Sequence, residues 1–229
     1  MDKMRMESLD MTTQNIEKIG ALFPNCITET IDENGKPKKI INFDLLKQML
    51  SGDVIEGSEA YEFTWVGKKA AIVEANRPIR KTLRPCKEDS VNWDTTENLY
   101  IEGDNLDVSK VLRETYLGKV KMIYIDPPYN TGAKDWKYNN NYVDGADEYR
   151  HSKWLSFMQK RLKIAKKLLN PKDSVLIVTI DEKEYLHLGC LLEEMFPEAR
   201  MQMVSSVISR QGATRQMQFG RVDEYIYFL

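Results

Sequence analysis

The sequence predicts an α/β fold, a doubly wound sheet preceded by a small, mostly helical N-terminal region. Three observations predict it. From about residue 98 onward, strand-like and helix-like segments alternate, which is the order that builds strand–helix–strand units. The run Ser174–Ile180 (SVLIVTI) is apolar without alternation, as strands covered on both faces tend to be. The segment His151–Leu169 sets Trp154, Leu155, Met158, Leu162, Ala165 and Leu169 on one face at helical spacing, a stripe made for packing on a sheet.

Taken in order, residues 1–60 read as the helical region. Phe43, Leu46 and Leu50 have helical spacing within Ile41–Leu50, and Asp32–Lys39 (DENGKPKK) reads as a turn. Residues 61–97 read as a basic connecting segment. It opens with a short strand candidate, Glu62–Gly67, and continues into Arg77–Lys87, where Pro78 and Pro85 forbid a continuous helix. Residues 98–229 hold the α/β pattern. A strand over NLYIE ends in Gly103-Asp104-Asn105, and a helix from Leu106 closes at Gly118, with Leu106, Leu112 and Tyr116 free to pack. The next strand is VKMIYID, ending at Asp126. Asn170-Pro171 stops the long helix, and Asp181 with Glu184 forms a D-x-x-E start signal for a helix over Glu182–Met195, ended by Pro197. MQMVSSVIS and EYIYFL are further strand candidates. The closing DEYIYFL reads as a strand cut off in its middle, so the chain is expected to be a fragment.

The chain has 229 residues, 42% of them hydrophobic and 30% charged, enough for one large domain or one domain with a small companion. A net charge of −2 does not announce a nucleic-acid partner, which would need a local basic patch. Cys26, Cys86 and Cys190 stand apart without C-x-x-C pairs, so neither a disulfide framework nor a metal site is expected. There is no apolar run near the ~18 residues of a membrane span, nor a signal-peptide core, so a cytoplasmic protein without a membrane partner is expected.

The chemistry concentrates in Asp126-Pro127-Pro128-Tyr129, directly after a core strand. In open α/β sheets, ligands sit beyond the carboxyl ends of the strands. Each proline holds the residue before it extended, and neither offers an N–H. What remains is a rigid corner of acceptors, the Asp126 carboxylate and the carbonyls of Asp126 and Pro127, with Tyr129 as a flat platform. Such a corner suits an exocyclic amino group on a nucleobase, and suits a phosphate poorly. Two acceptors on its hydrogens would favour a pyramidal nitrogen and the positive charge developing there. Within a duplex such an amino group is out of reach, so the base must be flipped.

The DPPY string resembles the catalytic motif of amino-directed DNA methyltransferases, in the Asp form typical of adenine-N6 enzymes. The wider string NLYIEGDNLDVSKVL…KVKMIYIDPPYNTG, with WLSFMQKRLKIAKKLL, VLIVTIDEKE and LLEEMFPE, resembles the Mod subunits of type III restriction–modification systems, of the beta class of amino-methyltransferases. The similarity runs from about Thr64 to the end. It implies a partial Rossmann-like methyltransferase sheet over 98–229, an N-terminal part of the catalytic domain. The family's glycine-rich F-x-G-x-G loop has no counterpart here, QFGRVD being unlike it, so the chain is expected to be truncated before that loop and inactive alone. The resemblance implies S-adenosyl-L-methionine as methyl donor. Double-stranded DNA, a second Mod chain in a homodimer and a restriction (Res) subunit are the implied partners.

By the same resemblance, Asp126 and Pro127 hold the target amino group, Pro128 completes the corner, and Tyr129 stacks on the adenine. Asp104, Asn105 and Asp126 are placed near the cofactor. Asp104 reads equally as a helix N-cap. Asn130, Arg210 and Arg215 are expected to face DNA, the last two in a flexible basic connection that also carries Arg221. Ala133–Arg150, polar and rich in Asn, reads as a mobile loop beside the site. Lys160, Arg161, Lys163, Lys166 and Lys167 read as the wet face of their helix, and His151 and His187 as surface or packing residues. The alternative function is a truncated Mod chain that serves only in assembly or DNA binding, without turnover.

Overall fold

The computed structural model describes residues 11–31, 37–52, 62–138, 141–147, 149–210, 212–215 and 218–229. The chain divides into two compact units. The smaller comprises residues 9–62 with 76–78, and the larger 63–75 with 79–229.

In the smaller unit, helix α1 (Met11–Leu22) is followed by a single turn of 3₁₀ helix and the antiparallel pair β1 (Ile27–Ile31) and β2 (Pro37–Ile41), then helix α2 (Phe43–Met49). The hairpin adds two strands to a region whose described residues are otherwise mostly helical. Ile27 and Thr28 stand opposite Ile41 and Ile40 in register, and β-branched residues favour a pleated ladder. The turn expected over Asp32–Lys39 is strand at its end, since Pro37–Lys39 lie in β2, while residues 32–36 fall outside the described residues. Asn42 starts α2 by accepting from the amides of Asp44 and Leu45, each at 3.1 Å.

The larger unit opens with Phe63 and Trp65 packed on the main core. The strand expected over Glu62–Gly67 does not form. Its aromatic side chains are instead tied down one by one, Trp65 by donating Nε1–H to Ser156 Oγ at 3.0 Å. Helix α3 (Lys68–Asn76) follows inside the segment read as a connector, burying Ala71 and Ala75. The NLYIE strand is also absent, with Leu99 and Tyr100 exposed, because no described neighbour offers it a ladder.

Helix α4 (Asn105–Tyr116) leads into β3 (Met122–Ile125). The segment expected as a mobile loop is a hairpin, β4 (Ala133–Tyr138) against β5 (Asn141–Asp144). It is anchored because Trp136 and Val143 enter the core. Helix α5 (Arg150–Leu168), strand β6 (Val175–Ile180), helix α6 (Tyr185–Met195) and strand β7 (Gln202–Val207) follow close to the expected bounds. The basic connection is not free either, since β8 (Ala213–Arg215) pairs with β9 (Gln218–Arg221). The last strand is β10 (Asp223–Phe228).

The main sheet has the order β3-β6-β10-β7. β6 runs parallel to β3, whereas β10 is antiparallel to both its neighbours. The fold is therefore α/β with a mixed four-stranded sheet. One face, carrying Leu176, Val178, Ile180 and Tyr227, packs with Trp154, Met158 and Leu162 of α5 and Leu188, Leu191 and Leu192 of α6. Gly189 of α6 makes this packing possible, because a Cβ there would stand 2.8 Å from the Tyr227 hydroxyl. The opposite face carries Met122 and Tyr124, in register with Val175 and Ile177, and beyond them Val204. Met122, Tyr124 and Val204 are exposed, so the described residues form no second helical layer over them of the kind a doubly wound sheet has.

The basic residues of α5 are not a wet face. All are half-buried, because α4 and α6 both pack against α5. The Arg161 guanidinium lies over the Phe157 ring, 3.6 Å from its centre, and Lys166 donates to the Met195 carbonyl at 2.7 Å. Their aliphatic stems fill the contact while the charged tips reach partners at its rim.

The two sheet faces give a direct test. Leu162→Ala, at a fully buried position, should cost about 2–5 kcal/mol. Met122→Ala, on the open face, should stay within about 0.5 kcal/mol of the parent. Urea unfolding midpoints measure both, and equal losses would show that the α5 side is not the core.

Candidate active site

β3 delivers Asp126 at its carboxyl end, and the two prolines turn the chain away from the sheet. Asp126 is exposed, Pro127 buried, and Pro128 and Tyr129 lie between. Thr179, on the neighbouring strand β6, donates to Asp126 Oδ1 at 2.7 Å. This bond orients the exposed carboxylate. Trp154, fully buried in α5, donates Nε1–H to the Pro128 carbonyl at 2.7 Å. Among the described residues the Pro127 carbonyl accepts no backbone hydrogen bond. The Tyr129 hydroxyl is a further side-chain partner of Asp126, so the exposed carboxylate faces Thr179, Tyr129 and solvent.

Tyr129 is less open than a bare platform. Its hydroxyl lies 3.4 Å from Glu224 Oε2, and the Arg221 guanidinium sits 5.9 Å from its ring centre. Burial, with Asp126 and Glu224 nearby, pushes its phenol up to about 12. Arg221, expected to approach DNA, is instead enclosed by carboxylates. It pairs with Glu224, with Glu182 at 3.2 Å and with Asp181 at 3.7 Å. Asp181 is itself nearly fully buried, and burial raises its carboxyl above the usual range.

Asn130 is buried, which corrects its expected exposure to DNA. It has a left-handed backbone, φ +58, a conformation Asn tolerates better than most residues. Its side chain is saturated: Nδ2 donates to Glu184 Oε1 and, at 3.4 Å, to the Arg150 carbonyl, while Oδ1 accepts from Trp136 Nε1 at 3.0 Å. Asn130 is therefore an anchor of the corner. Glu184, read as a helix-start residue, is fully buried and makes no capping bond. It turns inward to Asn130 and to His151 and His187, with the two imidazole Nδ1 atoms 2.7 and 2.9 Å from its oxygens.

Of the expected cofactor residues, Asp104 caps α4, accepting from the amides of Leu106 and Asp107 at 2.9 and 3.2 Å. Its Oδ2 stands 3.8 Å from Arg161, and Asn105 Oδ1 accepts from Arg161 Nε at 2.6 Å. Asp104 keeps over half of its side chain exposed. Arg210 is exposed just past β7, and Arg215 lies on β8. The structure brings Asp126, Pro127, Pro128 and Tyr129 together with Thr179, Trp154, Glu224 and Arg221. None of these last four carries a local sequence signal. They are neighbours only because β6, α5, β9 and β10 bring them to the loop that follows β3.

Residues 120–229 match the DNA methylase family. Over 98% of its length the chain is 31% identical to the type III restriction-modification enzyme EcoPI Mod subunit of Escherichia phage P1, covering 38% of that protein. Over 85% of its length it is 32% identical to the EcoP15I Mod subunit of Escherichia coli, covering 34% of it. A probable HindVI Mod subunit of Haemophilus influenzae is 42% identical over 51% of the chain and 14% of the relative. The chain thus spans well under half the length of these relatives.

Titration tests the burial of the phenols. Tyr129 and Tyr227 are both pushed up to about 12 from an ordinary 10.0. The folded state holds these protons more tightly than the unfolded chain. Their contribution to stability is therefore complete below pH 10 and lost as pH rises toward 12. Phenolate absorbance should show Tyr129 and Tyr227 titrating late, and Tyr129→Phe should remove one late-titrating group. Titration of every phenol near the ordinary value would contradict the enclosed Tyr129.

Proposed function

The chain is Mod-like, with a DNA methylase segment over residues 120–229, and on that premise we propose that it carries the target-base corner of a site-specific adenine-N6 DNA methyltransferase. The reading assigns it to the modification subunit of a type III restriction–modification system. Double-stranded DNA, a second Mod chain and a restriction subunit are its proposed partners, and a Rossmann-like methyltransferase sheet its proposed complete fold.

The observation that carries the reading is the state of the corner. The Asp126 carboxylate is exposed and the Pro127 carbonyl accepts no backbone hydrogen bond among the described residues, whereas the Pro128 carbonyl is occupied by Trp154. An adenine amino group has two hydrogens. Asp126 Oδ2 takes one and the Pro127 carbonyl the other, while Thr179 keeps the carboxylate from rotating. Gripping both hydrogens turns the nitrogen lone pair out of conjugation with the ring, toward the incoming methyl group. As the nitrogen becomes positive, the same two oxygens stabilise it, without reorganisation at the moment of reaction. Tyr129 supports the ring as a neutral phenol, with Arg221 fixing its far side.

S-adenosyl-L-methionine, when bound, supplies a methyl group on a sulfonium that leaves as a neutral thioether, so positioning is the protein's main contribution. The fit of this chain to that donor rests on Asp104, whose half-exposed carboxylate can accept from hydroxyl or amino donors on its Oδ2 side. Asn105 fits less well, since Arg161 already holds its amide oxygen.

Methyl incorporation into unmethylated bacterial DNA, measured with the full gene product, tests the assignment. Asp126→Ala should lower turnover about 10²–10³-fold, about 2.7–4 kcal/mol of transition-state stabilisation. Calorimetric affinity for S-adenosyl-L-methionine should stay within about twofold, because the carboxylate acts on the amino group. Turnover retained in Asp126→Ala would remove the role given to the corner.

A further inference from the structure

We infer that His151, Glu184 and His187 form a binding site for one divalent transition-metal ion, of the kind zinc represents. The three residues come from the first turn of α5, the residue preceding α6 and the first turn of α6. They offer two imidazole nitrogens and a carboxylate oxygen, all within 4.8 Å of one another. Two imidazoles and one carboxylate are a ligand set that borderline metals accept in three-residue sites with an open position.

Two features separate this cluster from an ordinary buried hydrogen-bond network. Both rings direct Nδ1 at the same fully buried carboxylate and lie stacked, with centroids 4.6 Å apart. More telling, Glu184 Oε2 and His187 Nδ1 stand 2.9 Å apart, both buried, yet neither makes a hydrogen bond of acceptable geometry. A buried acceptor and a buried ring nitrogen left unbonded are costly. A cation between them would satisfy both atoms at once. Metal–ligand bonds of about 2.0–2.2 Å in a tetrahedral arrangement set ligand atoms roughly 3.3 Å apart, so each imidazole nitrogen would move about half an ångström from the carboxylate oxygen it faces.

The surroundings are arranged to orient the ligands. Glu184 Oε1 is held by Asn130 Nδ2, and Asn130 is itself fixed by Trp136. Hydrogen bonds of this outer kind set the direction of a ligating carboxylate. His151 Nε2 accepts from Arg150 Nε at 3.2 Å, which places the ring proton on Nδ1. On loading, that proton moves to Nε2 and the Arg150 side chain turns to solvent, so the ring stays neutral. His151 and His187 are each about one-third exposed, which leaves a path for the ion and room for a water in the open position. The ion would tie both helix starts to the anchor of the Asp126–Tyr129 corner. The proposal stands on the cluster alone and does not depend on the methyl-transfer reading.

The test uses the tag-free chain, stripped with a chelator and titrated with zinc by calorimetry and with cobalt(II) by visible absorbance. One ion per chain is expected, with cobalt bands of a nitrogen–oxygen site. His151→Ala and His187→Ala should each weaken binding at least about tenfold, and the double variant should lose the cobalt bands. Cys86→Ser and Cys190→Ser should bind as the parent does. Glu184→Gln, which keeps the side-chain size, should weaken zinc while its metal-free far-ultraviolet spectrum matches the parent. The parent alone can decide the matter: no saturable uptake near one equivalent overturns the proposal. So does binding that survives in the double histidine variant, or binding that is lost on replacing Cys86.

Discussion

Two successive prolines give up two backbone N–H groups, and the structure around them is organised by that loss. A strand end normally passes into a loop whose amides find partners of their own. Here the corner after β3 has no such means of fixing itself, so side chains from elsewhere do it. Trp154 holds the Pro128 carbonyl, Thr179 holds Asp126, and Glu184 with Trp136 holds Asn130. Each donor or acceptor comes from a different element: α5, β6, the α6 start and the β4–β5 hairpin. The elements that build the core are thereby the elements that aim the corner. Trp154 joins the two roles in one side chain, its indole body filling the core while its one polar atom reaches the proline carbonyl.

This explains which parts are legible in the sequence. β3, α5, β6, α6, β7 and β10 are readable to within a few residues, because each carries its own pattern of apolar residues. The backbone of the corner is readable as well, since Asp-Pro-Pro-Tyr restricts itself. What surrounds the corner is not. Glu184 has the spacing of a capping pair with Asp181, and only the fold shows that it points inward to Asn130. His151 and His187 have the look of unrelated surface residues, because 35 intervening residues conceal that two helices begin side by side. The β4–β5 hairpin is hidden by its polar composition, although Trp136 and Val143 are enough to pin it. Local polarity marks exposure only on average, and two buried side chains outweigh many wet ones.

The strand errors share a different cause. NLYIE has the residues of a strand, yet it has no ladder here and leaves Leu99 and Tyr100 exposed. β-propensity describes fit to a half-buried pleated surface, so it has no effect without a neighbouring strand. The open face of the sheet follows the same logic. Met122 and Tyr124 have the apolar character of covered positions, yet they are exposed. Conversely, β1 and β2 form where a helical region is expected, because facing β-branched residues supply each other's surface.

Charge placement near the corner is selective in a way that composition could not reveal. Asp126, Asp181, Glu182 and Glu224 cluster around one end of the sheet, and a single guanidinium, Arg221, is drawn in among the last three. Without it, the acids would repel one another and raise the cost of burying Asp181, whose carboxyl is already pushed up by desolvation. With it, the negative charge behind Tyr129 is reduced, whereas Asp126 in front pairs with no such cation among the described residues. Thr179, which holds Asp126, is a hydroxyl that orients the carboxylate without neutralising it. An anion such as a phosphate is thereby disfavoured at the corner, whereas a neutral amino group that gains positive charge as it reacts is favoured. The arginine is thus best understood through what it leaves alone: it pairs with three acids and not with the fourth, Asp126, whose partners are hydroxyls.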